Sequence, residues 1–187
     1  AHLEDEILAV GRSREVMRKK RAKEKVNLCS LVGYTSAGKT TLFNALTKAE
    51  EKTAATLFTT LDPISHAFTL PDNSKIVISD TVGFISDLPE KLIEAFKSTL
   101  EELTYAQVLI HIIDATSSQI PRLYRSVEEI LCELKLSGKE TIMVFNKIDK
   151  LAPEDLARLK SDYPQAVFIS ALTGENLDIL LARLAEF

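Results

Sequence analysis

An apolar run ends at Val32, and the chain then reads Gly33, Tyr34, Thr35, Ser36, Ala37, Gly38, Lys39 and Thr40, with Thr41 continuing into a helix-forming stretch. The spacing is GxxxxGK followed by Ser or Thr, lying between a strand pattern and a helix pattern. A polyphosphate needs many donors converging from one side. A loop of backbone N–H groups feeding a helix N-terminus supplies them. Gly33 and Gly38 permit the turn and the close approach of backbone to phosphate. Lys39 puts a point charge between the β- and γ-phosphates, which makes it the first candidate catalytic residue, and the Thr40 hydroxyl is a hard oxygen suited to Mg²⁺. A glycine-bearing loop that merely precedes a helix is the competing reading, and the strand-before, helix-after context disfavours it.

Two further segments complete a phosphate chemistry. Asp80-Thr81-Val82-Gly83 follows the apolar run 75–79. An Asp leaving a strand beside the phosphate loop can hold Mg²⁺ directly or through water, and the Gly83 N–H can meet the γ-phosphate. Alone the pattern is weak, because Asp often caps turns. Thr60 is the candidate second Mg²⁺ ligand, in a stretch (50–62, EEKTAATLFTTLD) that has no period and reads as a loop. Thr56, Thr59 and Thr60 all have the composition of ordinary loop residues, and Thr60 is chosen on its spacing. Thr60 and Gly83 join Lys39 as catalytic candidates, and Thr40, Thr60 and Asp80 form the expected Mg²⁺ set.

A phosphate loop does not choose between ATP and GTP. Asn146-Lys147-Ile148-Asp149 does, placed directly after the run ETIMVF. Guanine presents N1–H and an exocyclic amine as adjacent donors, which one carboxylate accepts together; adenine has neither there and would leave Asp149 unpaired at a cost of about 1–3 kcal/mol. Asn146 can donate to the purine and tie its loop to the phosphate loop, and the Lys147 stem can lie over the ring face. Ser170, Ala171 and Leu172 follow the last apolar run, where the Ala171 N–H would meet guanine O6. The expected ligand is therefore GTP or its product GDP, not ATP.

These groups must be positioned by elements that the hydropathy pattern delineates. Apolar, β-rich runs occur at 26–32, 64–70, 75–79, 106–113, 140–145 and 166–169. Amphipathic stretches occur at 39–48, 89–103, 119–136, 153–161 and 176–187. The run at 64–70 and the one at 75–79 flank Pro71-Asp72-Asn73-Ser74, a turn cluster, and predict an antiparallel hairpin. Alternation of the rest predicts an α/β fold: a doubly wound, six-stranded, mostly parallel sheet with one antiparallel edge strand, as in small P-loop GTPases. The domain is expected over 26–187. Residues 1–25 read as a separate basic linker helix, with Leu3, Ile7, Val10, Arg14, Met17 and Arg21 on a seam too short to be a stable coiled coil alone. The basic part, 12–25, is either a solvated face or, on the family resemblance given below, a contact for ribosomal RNA phosphates.

At 187 residues the chain accommodates one α/β domain rather than two. A net charge of −4 does not mark the whole as a nucleic-acid binder, although the basic segment leaves the remainder distinctly acidic. Cys29 lies in a strand run and Cys132 in a helix pattern, without metal-ligand spacing; both are expected as reduced core thiols. His66 and His111 sit in apolar runs and are expected in the core or on an edge strand rather than as bases. No apolar run reaches membrane-spanning length, and the N-terminus is not a signal peptide, so a cytoplasmic monomer is expected.

The stretches VGYTSAGKTTLFNALT (32–47), TLDP (60–63), DTVGFISDLP (80–89), AFKSTLEEL (95–103), NKID and SALTGENLD (170–178) resemble the HflX GTPases, within the Obg–HflX branch of translation-factor-like G proteins. DTVGFI followed by LP and a TLEE helix is the more specific part of the likeness. The resemblance implies the five G motifs at the positions above, and a large-ribosomal-subunit partner with a role in splitting or rescuing ribosomes. HflX proteins carry an N-terminal domain and a coiled-coil linker before the G domain, and their ATP hydrolysis is tied to that part, so the chain is expected to be an excerpt of a longer protein. Where the family commonly has Asn, which can help hold potassium, this chain has Ser36; Thr59 stands where Ala is usual. Many GTPases orient the attacking water with a Gln after the third motif. Here the position is Phe84, so slow hydrolysis, at or below about 10⁻² s⁻¹ unassisted, is expected. A nucleotide-regulated docking module with negligible hydrolysis is the alternative.

Overall fold

The computed structural model describes residues 27–48, 64–80 and 103–187. The basic segment 1–25, the loop carrying Thr60, the positions Gly83 and Phe84, and nearly all of the amphipathic stretch 89–103 lie outside these described residues.

Six strands form one sheet: β1 (Asn27–Gly33), β2 (Ile64–Thr69), β3 (Lys75–Asp80), β4 (Val108–Asp114), β5 (Glu140–Asn146) and β6 (Val167–Phe168). Their order is β2-β3-β1-β4-β5-β6. Only β2 pairs antiparallel, with β3; the pairs β1–β3, β1–β4, β4–β5 and β5–β6 are parallel. The expected edge hairpin is present. Asp72 sets its turn, accepting from the Ser74 N–H at 2.9 Å and the Ser74 hydroxyl at 2.7 Å.

Alternation along the central strands explains the two layers of helices. On β1, Cys29 and Leu31 point to one face and Leu28 and Val32 to the other; on β4, Val108, Ile110 and Ile112 oppose Leu109 and Ile113. The first face is covered by α1 (Lys39–Thr47) through Leu42 and Phe43, and by α4 (Leu177–Leu184) through Leu180 and Leu184. The second is covered by α2 (Ile120–Glu133) through Val127, Ile130 and Leu131, and by α3 (Pro153–Asp162) through Leu159. The α2 residues recur at helical spacing, and Pro121 begins the helix where its missing N–H costs nothing. In α3, Pro153 does the same, and Glu154 and Asp155 in the first turn complement the positive end of the helix.

Both expected histidine environments occur. His66 is exposed on edge strand β2, edge-on to Phe43, whereas His111 on β4 is 1% exposed. One expectation is corrected. Cys29 is buried, but Cys132 is exposed, because it lies off the α2 stripe of Val127, Ile130 and Leu131 that faces the sheet.

Strand order decides where a ligand can bind. β1 has β3 on one side and β4 on the other, so the chain crosses in opposite directions from its C-terminal end. The resulting crevice at the carboxyl ends of the parallel strands is where open α/β sheets take their ligands. Gly33, Asp80, Asp114 and Asn146 end β1, β3, β4 and β5 at that edge.

Candidate guanine-nucleotide site

The phosphate loop leaves β1 at Gly33 and enters α1 at Lys39. Gly33 has φ 151°, and a Cβ there would sit 2.3 Å from the Ile112 carbonyl oxygen, so β4 leaves no room for a side chain. Gly38, at φ 97°, is the residue before the helix and is held as closely by Asn146. Ser36 adopts the left-handed conformation (φ 61°), which turns the loop, and the Ala37 N–H closes onto the Tyr34 carbonyl at 3.3 Å.

Lys39 is 6% exposed. Its Nζ donates to the Gly33 carbonyl at 3.1 Å and the Tyr34 carbonyl at 3.0 Å, which folds the side chain back over the loop it follows. Burial pulls its pKa down to about 8, with the Asp80 carboxylate acting in the opposite direction. Thr40 Oγ1 donates to Asp80 Oδ2 at 2.7 Å, bringing together two of the three expected Mg²⁺ ligands from segments 40 residues apart. Asp80 is 1% exposed. A hydroxyl and a buried carboxylate are a donor set for a hard cation. Among the described residues no cluster of three or more His, Cys, Asp or Glu is present. Thr60, the third member of the expected Mg²⁺ set, and Gly83, the candidate donor to the γ-phosphate, lie outside the described residues.

The late tetrapeptide reaches the same loop. Asn146 is 2% exposed, and its Nδ2 donates to the Ala37 carbonyl at 2.9 Å across 109 positions of sequence. An amide nitrogen has two hydrogens, so one remains for a purine. Lys147, at φ 69°, sends its Nζ to the Ser36 carbonyl at 2.7 Å and to Asp114 Oδ2 at 2.6 Å. Its stem is thus stretched from the end of β5 back to the phosphate loop. Ile148 is buried, with its N–H on the Ile169 carbonyl at 3.2 Å, and this anchor leaves the next residue, Asp149, exposed.

Ser170, fully buried, organises the last segment: its hydroxyl accepts from the Thr173 N–H at 3.2 Å and its carbonyl from the Gly174 N–H at 2.9 Å. The Ala171 N–H, expected on guanine O6, donates instead to Asn146 Oδ1 at 2.9 Å. The buried amide oxygen needs a donor, and this is the one beside it. Leu172 projects outward, 74% exposed. Tyr34, Thr35 and Thr41 are partly exposed around the phosphate loop.

Asp114 is the site residue that motif reading missed. It closes β4, in register with Asn146, and its signal was an acidic residue ending an apolar run at the edge where the phosphate loop must lie. Burial acts to raise its pKa, but hydrogen bonds from Lys147 and Thr116 outweigh that and hold the carboxyl below the usual range.

Comparison with known proteins agrees with this fold. A family model described as "50S ribosome-binding GTPase" matches residues 28–147. GTPase HflX of Lacrimispora saccharolytica is 46% identical over 180 residues, covering 96% of this chain and 42% of that protein. The chain thus spans less than half the length of the HflX relatives it matches. Among solved structures, Era in complex with MgGDPNP and nucleotides 1506–1542 of 16S ribosomal RNA superposes with TM-score 0.69 and 30% identity, over 87% of this chain and 56% of that one. A GTP-binding protein from Sulfolobus solfataricus in complex with GDP gives TM-score 0.66 and 32% identity, over 94% and 56%. Sheet order, phosphate loop and these likenesses together place the chain in the 50S ribosome-binding GTPase family, as a P-loop G domain of HflX type.

Proposed function

We propose that this domain binds GTP with Mg²⁺, hydrolyses it slowly, and works as the switch of a ribosome-associated GTPase whose turnover the large ribosomal subunit stimulates. The observation that carries the reading is the pair of contacts from Asn146 and Lys147 to the carbonyls of Ala37 and Ser36, at 2.9 and 2.7 Å. They hold Asn146 and Lys147 against the phosphate loop, as a single nucleotide touching both segments would require.

In this reading the N–H groups of residues 33–41 cradle the phosphates, and Lys39 turns from the loop carbonyls to the β- and γ-phosphates. Asp149 accepts the two guanine donors, Asn146 gives its second amide hydrogen to the purine, and Leu172 and the Lys147 stem cover the ring. The Ala171 N–H, already engaged by Asn146, reaches O6 as a shared donor. Thr40 and Asp80, with Thr60, are the residues that would hold Mg²⁺. The ion supplies charge neutralisation across the β- and γ-oxygens. Gly83 offers its N–H to the γ-phosphate. A partner in the ribosome is supported by the family description and by the RNA-bound Era relative, and the basic segment 12–25 is a candidate contact for ribosomal RNA.

The base assignment is tested by Asp149→Asn. Xanthine has a carbonyl where guanine has its amine, so the variant should lose GTP affinity by about 10-fold or more and gain affinity for xanthosine triphosphate. Equilibrium titration with fluorescent nucleotides reads both. Unchanged GTP affinity would refute the guanine site.

A further inference from the structure

The Lys147 ammonium is held by a residue outside the recognised G motifs. We propose that Asp114 is a positioning residue of the guanine site: its carboxylate pins the Lys147 ammonium against the Ser36 carbonyl, so that the lysine stem is a preformed platform for the base and latches the base-reading loop to the phosphate loop. The inference rests on the guanine-site reading above and adds to it the group that sets the platform.

Three observations carry it. Asp114 and Asn146 are register partners on β4 and β5, and the Ala115 N–H donates to the Asn146 carbonyl at 2.9 Å, continuing the ladder one step past the strand. Asp114 is therefore fixed relative to the tetrapeptide by backbone. Its Oδ1 accepts from the Thr116 N–H at 2.9 Å and the Thr116 hydroxyl at 2.7 Å, which orients the carboxylate and turns Oδ2 toward Lys147 at 2.6 Å. Both side chains are only about a quarter exposed, 23% for Asp114 and 25% for Lys147, so solvent screens the pair less than it would a surface ion pair.

Lys147 needs such a partner. Its stem has four carbons and many rotamers, and a platform that must be ordered by each arriving base weakens binding. Its backbone, at φ 69°, is also in a region that a lysine adopts at a cost. An ammonium shared between a carboxylate and the Ser36 carbonyl fixes both features before a ligand arrives.

Asp114→Asn separates this role from simple turn capping, because the amide oxygen still accepts from Thr116 while the charge facing Lys147 is gone. The expected result is a roughly 10-fold loss of affinity for GDP and GTP alike, expressed as faster dissociation. Asp114→Glu, which keeps the charge, should recover part of it. Lys147→Met keeps an apolar stem without the ammonium, and the double variant should bind no more weakly than Lys147→Met alone. Wild-type affinity in Asp114→Asn, additive losses in the double variant, or a loss that merely tracks a fall in Tm would each overturn the proposal. Asp149→Asn is run alongside. If that variant switches to xanthosine triphosphate while Asp114→Asn binds normally, only the positioning role fails; if it does not switch, the guanine site itself fails.

Discussion

A methyl group placed on Gly38 would come within 2.3 Å of the Asn146 amide nitrogen, at a backbone φ of 97°. Asn146 cannot simply step aside, since its amide is bonded at one end to the Ala37 carbonyl and at the other to the Ala171 N–H, both at 2.9 Å. On the proposed reading, this glycine therefore serves the base end of the site as well as the phosphate end. Gly38→Ala should lower nucleotide affinity by roughly 2–3 kcal/mol, from backbone strain and displacement of the amide together. Gly138, with no atom within 4 Å of an added Cβ, is the control, and its Ala variant should bind within about 0.5 kcal/mol of wild type. Titration with a fluorescent GDP analogue measures both. The motif predicts the first glycine effect through phosphate approach alone; the Asn146 contact is visible only in three dimensions.

At the scale of elements, the packing of α2 on β4 contains a polar residue among apolar ones. His111 lies on the β4 face that also carries Leu109 and Ile113, stacked on Tyr124 of α2 with ring centroids 5.2 Å apart. Glu128, also on α2, stands 3.8 Å from its Nδ1. Burial, with a smaller contribution from the Lys39 charge, lowers the His111 pKa from the ordinary 6.5 to about 4, so the ring is neutral at pH 7 and the contact with Glu128 is not an ion pair there. Burial likewise pushes the Glu128 carboxyl up. At His111 the unfolded chain binds a proton that the folded one refuses. Stability from this group is complete above pH 6.5 and declines as pH falls toward 4, by on the order of 3 kcal/mol. His111→Phe keeps a ring against Tyr124 and removes the titration. Urea unfolding at pH 7 and pH 4.5 should show a shallower loss for the variant than for wild type.

At the scale of the molecule, the chain spans about 42% of the HflX relatives' length. Whether the domain alone answers to ribosomes is a measurable property of the whole. Phosphate release should run at or below about 10⁻² s⁻¹ without additions and rise by about 10-fold or more with purified large subunits. A rate that stays flat while GTP remains bound would favour the docking-module reading instead.

Among the described residues, the order of strands and helices, the edge hairpin and the strand-to-helix setting of the glycine loop were legible in one dimension because each rests on local rules: period-two and period-3.6 hydropathy, turn residues, and glycine at a strand–helix junction. Cys132 escaped the same rules, because an apolar-looking helix position does not say which side of the stripe faces the sheet. The partners across the site were likewise beyond them. Asp114 meets Lys147, Asn146 takes the Ala171 N–H, and Thr40 meets Asp80 only because parallel pairing brings the carboxyl ends of β3, β1, β4, β5 and β6 to one edge. Residue type and spacing thus determined what chemistry the chain can do. Tertiary pairing alone decided which side chain holds which, since hydrogen bonds between positions 25 to 111 residues apart depend on register, and register is a property of the assembled sheet.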